Sequence, residues 1–141
     1  MDVDGVLSDA SGRQHLLAGE PKSWAAFFEA SVQDPPISEG IRLVAGLVDD
    51  RAMVLVTARP ARLADTTVAW LERNSVSWDL LVMRRDGDHR SSPEVKSEAL
   101  EGLRADGYEV QLALDDDPGN ARMYRAAGVL TVYLHSGYYD L

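Results

Sequence analysis

An α/β fold built on a parallel central sheet is what this 141-residue sequence predicts. Three observations carry that expectation. Apolar runs of strand length, at 52–56, 80–83, 109–114 and 129–134, alternate with stretches whose apolar residues recur at helical spacing. The run from Ala52 to Val56 is continuously apolar and rich in branched residues, the pattern of a strand covered on both faces. Three strand ends carry polar chemistry, Asp2/Asp4, Thr57/Arg59 and Asp115/Asp116, and outside the carboxyl ends of parallel strands is where such sheets bind ligands.

The elements follow in order. The chain opens M-D-V-D-G-V-L, where alternate residues on a strand point the same way and a turn at Gly5 brings the carboxylates of Asp2 and Asp4 face to face. Ser8 to Arg13 is polar and reads as a loop or hairpin. A short helix is expected over 23–30, with Trp24, Phe27 and Phe28 on one face. The Trp24/Phe28 pair is assigned to the core rather than to a base-stacking platform, and the helix stops before Asp34-Pro35-Pro36. A second helix begins at Ser38, with Ile41, Leu43, Val44, Leu47 and Val48 as its apolar positions. The strand at 52–56 stops at Thr57-Ala58-Arg59-Pro60, and a helix over about 61–74 carries Leu63, Val68, Trp70 and Leu71. After the strand at 80–83 and a polar loop, Ser92-Pro93-Glu94 starts a helix: a capping hydroxyl, a proline in the first turn and an acid that suits the helix dipole. It ends at Gly107. The strand at 109–114 runs into Asp115-Asp116-Asp117, Pro118 opens the last helix, and 129–134 is the last strand.

Composition bounds the function. The length suits a single domain, 1–141, and 45% hydrophobic with 26% charged residues describes a soluble globular chain. No apolar run reaches the roughly 18 residues of a membrane span and no leader is recognisable, so a cytoplasmic protein with no membrane partner is expected. With no cysteine, thiolate metal sites and cysteine nucleophiles are excluded. A net charge of -9 argues against a broad nucleic-acid surface but leaves room for a strand end at one basic site. Arg84, Arg85, His89 and Arg90 form the dense basic cluster, for which a solvated loop face is the default reading. His15, His89 and His135 lack metal-ligand spacing, and neither glycine-rich nucleotide fingerprint occurs.

Paired carboxylates suit a nucleophile beside a general acid. They would repel a phosphate by about 4 kcal/mol per charge pair at 4 Å and an effective dielectric of 20, so a divalent cation is called for. Hard oxygen ligands select Mg2+. A calcium loop is excluded because Val6 and Leu7 stand where an EF-hand needs an acid or amide and a glycine.

Acids, a hydroxyl, a lysine and acids again, in that order along the chain, resemble the haloacid dehalogenase superfamily of phosphotransferases. The sequence looks closest to the 3'-phosphatase domain of phage-type polynucleotide kinases through D-V-D-G-V-L with Ser11-Gly12-Arg13, V-T-A-R at 56–59, W-L-E-R-N at 70–74, M-R-R-D-G-D-H-R at 83–90 and L-D-D-D at 114–117. The resemblance implies a three-layer Rossmann-like fold and a phosphatase working through an aspartyl-phosphate. Asp2 would be the nucleophile and Asp4 the general acid and then base. Thr57 and Lys96 would hold the phosphoryl oxygens, and Asp2, Asp4, Asp115 and Asp116 would provide the Mg2+ site, Asp115 supporting Asp116. Arg13 and Arg59 match arginines of that family, and Arg84 and Arg85 join them as expected substrate contacts. Ser92 replaces an acid the family places before the lysine, so Lys96 would need another orienting partner, Glu94 or Asp117.

In that family the first motif ends a buried strand, whereas here Met1 alone precedes Asp2, so a truncated first strand is expected. The intervals 7–52 and 74–93 are too short for a large cap, which implies an open mouth able to admit a polymer end. The expected substrate is a phosphorylated DNA or RNA 3' end, with a separate kinase or ligase chain as the expected partner. Two alternatives stand beside it: a phosphatase of a small phosphometabolite or nucleotide, and a non-catalytic module retaining the fold.

Overall fold

The computed structural model describes residues 1–140. Two parallel strand pairs form its middle. Strand β1 (Val54–Pro60) pairs with β2 (Leu80–Arg84), and β3 (Leu112–Asp115) pairs with β4 (Leu130–Tyr133). Met1 and Asp2 sew the pairs together. The Val56 N–H donates to the Met1 carbonyl at 2.9 Å, and the Asp2 N–H donates to the Leu114 carbonyl at 2.9 Å. The Met1 amino group donates to the Val54 carbonyl at 2.8 Å. A cavity of about 360 Å³ lies between β1 and β3, lined by Met1, Val54, Leu100, Leu112 and Leu114 among others.

Helices α1 (Trp24–Glu29) and α2 (Ser38–Leu47) precede β1, and α3 (Ala64–Arg73), α4 (Ser92–Ala105) and α5 (Pro118–Ala126) connect the successive strands. One core gathers Val3, Val6, Leu7, Val44, Met53, Leu55, Trp70 and Leu71; a second gathers Leu100, Ala113, Tyr124 and Val129 under α4 and α5. No helix among the described residues is long and apolar enough to cross a membrane.

Several expected boundaries shift, each for a local reason. The polar stretch after Ser8 is a 3-10 helix over Ser11–Leu17 rather than a hairpin. Strand β1 runs on through Thr57, Ala58 and Arg59 to Pro60, because β2 supplies partners as far as a register shift between Thr57 and Pro60. The α4 cap is Ser91, not Ser92: Ser91 and Glu94 form a reciprocal capping box. Trp24 is not in the core. It is 50% exposed, because only Phe27 of that aromatic face is buried.

The turn after Asp4 is held by its own backbone, with the Leu7 and Ser8 N–H groups both donating to the Val3 carbonyl. Helix α2 starts directly against it. A Cβ on Gly40 would lie 1.7 Å from the Val6 carbonyl oxygen, so glycine there sets the approach of α2 to the carboxylate turn. Gly40→Ala is expected to cost about 2–3 kcal/mol through overpacking, read as a lower urea midpoint with an unchanged m-value.

Candidate active site

The strand ends converge. Asp2 is buried beside β3, and its Oδ1 accepts from the Val3 N–H at 2.7 Å and pairs with Lys96 Nζ at 3.0 Å. Lys96, in the second turn of α4, also donates to Asp115 Oδ2 at 2.7 Å. The other Asp115 oxygen accepts from Asn120 Nδ2 at 3.1 Å and from the Asp117 N–H at 3.0 Å. Asp115 is therefore saturated by hydrogen bonds. Asp116 is the opposite case: both of its oxygens are buried and neither has a hydrogen-bond partner among the described residues, Ser136 approaching without satisfying that geometry. Asp2, Asp115 and Asp116 can bring one carboxylate oxygen each to within 4.8 Å of one another. Two unpartnered buried carboxylate oxygens beside two further acids are the donor set of a hard divalent cation, so the residues present fit Mg2+.

Gly5 is part of this arrangement. Its φ of +80° lets the chain turn, and a Cβ there would fall 2.0 Å from Asp116 Oδ2.

The carboxylate of Asp4 lies outside that group of three, although the sequence reading included it among the metal ligands. Its Oδ1 is held by Arg13 Nη2 at 2.6 Å and Arg59 Nη2 at 2.7 Å. Asp34 completes the network, accepting from Arg13 Nε and Nη2 at 3.0 and 2.7 Å and from Ser8 Oγ at 2.5 Å. The indole N–H of the fully buried Trp70 fixes the Asp34 backbone by donating to its carbonyl at 2.9 Å. Thr57, at 1% exposure, accepts from the Arg59 N–H at 3.2 Å and retains its hydroxyl proton for another acceptor.

Charge follows from this wiring. Burial pushes the Asp2 carboxyl well above its usual range, with Lys96 opposing and the neighbouring acids adding. Burial would also raise Asp4, but the Arg59 and Arg13 guanidiniums outweigh it and hold the carboxyl below its ordinary value. Burial works against the Lys96 ammonium, yet Asp2 and Asp115 more than compensate, so it stays charged. Asp116 is pushed up to about 7, by burial first and then by Asp115 and Asp4, against Ser136 and Lys96.

Sequence reasoning missed Asp34, Ser8 and Asn120. The Asp34-Pro35-Pro36 signal was read only as a helix stop, and no spacing ties Asp34 to Arg13. Nor does Glu94 or Asp117 orient Lys96: Glu94 caps α4 and Asp117 caps α5, while Asp115 and Asp2 hold the ammonium. Ser92 joins indirectly, its Oγ accepting from Asn120 Nδ2 at 3.1 Å. Arg84 braces its own loop, donating to the carbonyls of Ala58, Asp88 and Arg90. Arg85 is exposed and paired with Glu98 at 3.1 Å. These bonds run to the loop and to α4, not to the Asp4 network.

With that geometry in place, comparison with known proteins gives a consistent answer. The sequence matches the family described as the polynucleotide kinase PNKP phosphatase domain over residues 1–139. Among solved structures, it is similar to a chain of a Pnkp1/Rnl/Hen1 complex, with a TM-score of 0.77 and 22% identity, over 99% of this chain and 45% of that one. It is also similar to a chain of the Pnkp1/Rnl/Hen1 RNA repair complex, with a TM-score of 0.72 and 22% identity, over 95% of this chain and 40% of that one. The chain thus spans under half the length of either. No curated protein matches.

The raised Asp116 carboxyl sets a sign. The folded state holds a proton that the unfolded chain releases near pH 4, so metal-free stability falls as pH rises through about 7. Asp116→Asn removes the penalty. With chelator present, the variant should melt roughly 5 °C or more above the parent at pH 8, converge with it near pH 4, and lose the melting-temperature rise that Mg2+ gives the parent.

Proposed function

Since the chain belongs to the family of polynucleotide kinase PNKP phosphatase domains, we propose that it is a Mg2+-dependent phosphomonoesterase that removes the phosphate from polynucleotide 3' ends through an aspartyl-phosphate. The observation that carries this reading is the state of Asp2. One of its oxygens is locked by the Val3 N–H and Lys96, and the other accepts no hydrogen bond among the described residues. A carboxylate fixed at one oxygen and open at the other is a positioned nucleophile.

Asp2 Oδ2 attacks phosphorus, the bond from phosphorus to the 3' oxygen breaks, and that oxygen takes a proton from Asp4. Water then attacks the acyl phosphate, giving its proton to Asp4, and inorganic phosphate leaves with Asp2 restored. Lys96 and the Thr57 hydroxyl are the donors for the phosphoryl oxygens. Asp2 and Asp116 would hold Mg2+ with Asp115 behind them; when bound, the ion offsets the repulsion between these acids and the incoming phosphate. Asp4 as found is ready to be a base, because two guanidiniums hold it ionised. Its acid role follows once the substrate's phosphate groups draw hydrogen bonds from Arg59 and Arg13, which relieves the contacts that depress its pKa.

The RNA repair complex named for the solved neighbours supports an RNA 3' end as substrate and companion chains as partners. Between Asp4 and β1 lie only two short helices and 3-10 turns, and such an open approach favours a polymer end over an enclosed metabolite. Arg59, which touches both Asp4 and Ser8, meets the adjoining backbone phosphate; the exposed Arg85 is the loop arginine able to assist.

Phosphate release from a 3'-phosphorylated oligonucleotide, measured with and without Mg2+, tests this. Asp2→Asn should lower the rate by about 10³-fold or more. The oligonucleotide should exceed the matching 3'-mononucleotide in kcat/KM, and Arg59→Ala should narrow that gap. Equal values for the two substrates point to a small-metabolite phosphatase, and a rate unaffected by Asp2→Asn points to a non-catalytic module.

A further inference from the structure

Helix α1 shows a costly feature with no structural return. Trp24 is 50% exposed, and its ring stacks on Phe28 with centroids 5.9 Å apart and planes 26° from parallel. Phe27 meets both edge-on, at 5.9 Å from Trp24 and 5.4 Å from Phe28. Leaving half of an indole in water forfeits burial that a core position would have supplied. Neither hydrophobic core contains this trio.

What fixes the trio is Arg13. Its guanidinium carbon sits 4.2 Å over the Phe27 ring, and its Nη1 donates to the Phe27 carbonyl at 3.2 Å. The same guanidinium contacts Asp4 at 2.6 Å. The aromatic trio is therefore linked to Asp4 through one side chain, Phe27 lying between Arg13 and the rings of Trp24 and Phe28. The Lys22 Nζ lies over the Trp24 ring, 5.9 Å from its centroid. In a chain of net charge -9, an exposed tryptophan stacked on a half-buried phenylalanine, with a cation next to it and an arginine behind it, is a local exception.

We propose that Trp24 and Phe28 form the stacking platform for a base within the last two nucleotides of the strand whose 3'-phosphate enters the site, with Lys22 facing the adjoining phosphate. The proposal rests on the polynucleotide phosphatase reading and adds where the strand lies. A base presents a π-face of matching size, and stacking of this kind tolerates any sequence. The platform selects single-stranded ends, because a paired base keeps its faces inside the duplex.

Two measurements keep this separable from the reading it rests on. The first is kinetic, comparing a 3'-phosphorylated oligonucleotide with one lacking its last two bases. Trp24→Ala should lower kcat/KM on the intact strand by about 10-fold or more, stacking being worth about 1–3 kcal/mol per base. The loss should shrink to within about twofold on the abasic strand, and Trp24→Phe should recover most of it. An equal loss on both strands marks a merely structural role and overturns the platform. The second is binding: titrating the Asp2→Asn protein with a single-stranded oligonucleotide should quench tryptophan fluorescence, and the quench should vanish in Asp2→Asn/Trp24→Phe. Binding with no Trp24-dependent quench overturns the proposal even where the phosphatase reading stands. Quenching by a partner protein but not by the oligonucleotide also overturns it and reassigns the face to a protein contact.

Discussion

The Lys96 ammonium, held between Asp2 at 3.0 Å and Asp115 at 2.7 Å, is the interaction on which the rest of the structure depends. All three groups are buried. An isolated charge at such depth costs several kcal/mol, and removal of one partner from a buried pair leaves the other uncompensated. Lys96 thus does two things at once. It makes it tolerable for the end of β3 and the residue ahead of the Gly5 turn to carry acids in contact, and it sets which Asp2 oxygen remains open. A neutral residue there would leave two adjacent buried carboxylates with no cation of the chain's own between them.

Charge balance then divides the site in two. On one side Asp4 and Asp34 face Arg13 and Arg59, two acids against two guanidiniums. On the other, Asp2, Asp115 and Asp116 share one ammonium. The first half is balanced and rigid, its hydrogen bonds largely made within the protein. The second carries excess negative charge, concentrated at Asp116, whose oxygens have no hydrogen-bond partner among the described residues. The unbalanced side is where a hard divalent cation would fit, whereas the Asp4 carboxylate, although two residues from Asp2, is already held by its guanidiniums.

Much of this was legible in the sequence. Helix and strand order followed from hydrophobic period, and the residues that carry chemistry sat at run ends, where a parallel sheet exposes them. Asp2, Asp4, Arg13, Thr57, Arg59, Lys96, Asp115 and Asp116 do meet around one site. What could not be read was partner choice at distance. Asp34 lies 21 residues from Arg13 and reaches it only because Trp70 anchors its backbone. Arg84 and Arg85 were expected to contact substrate, and composition does not reveal that carbonyls of β1 and the loop, and Glu98, take up their donors. The face of α1 was misread for a related reason: periodicity identifies an apolar face but not what lies against it, and Arg13 occupies the place a core would have taken.

The seam between the strand pairs explains why site and fold cannot be separated. Asp2 takes its position from the backbone bonds that join the pairs: its N–H on Leu114 sets it beside Asp115, and the Met1 carbonyl on Val56 sets it beside Thr57. The side chains above add to those backbone bonds, Lys96 linking α4 to both Asp2 and β3, and Arg59 linking β1 to Asp4. These same side chains are the cross-links between the two halves. Loss of either cation should therefore loosen the relative placement of the sheet halves.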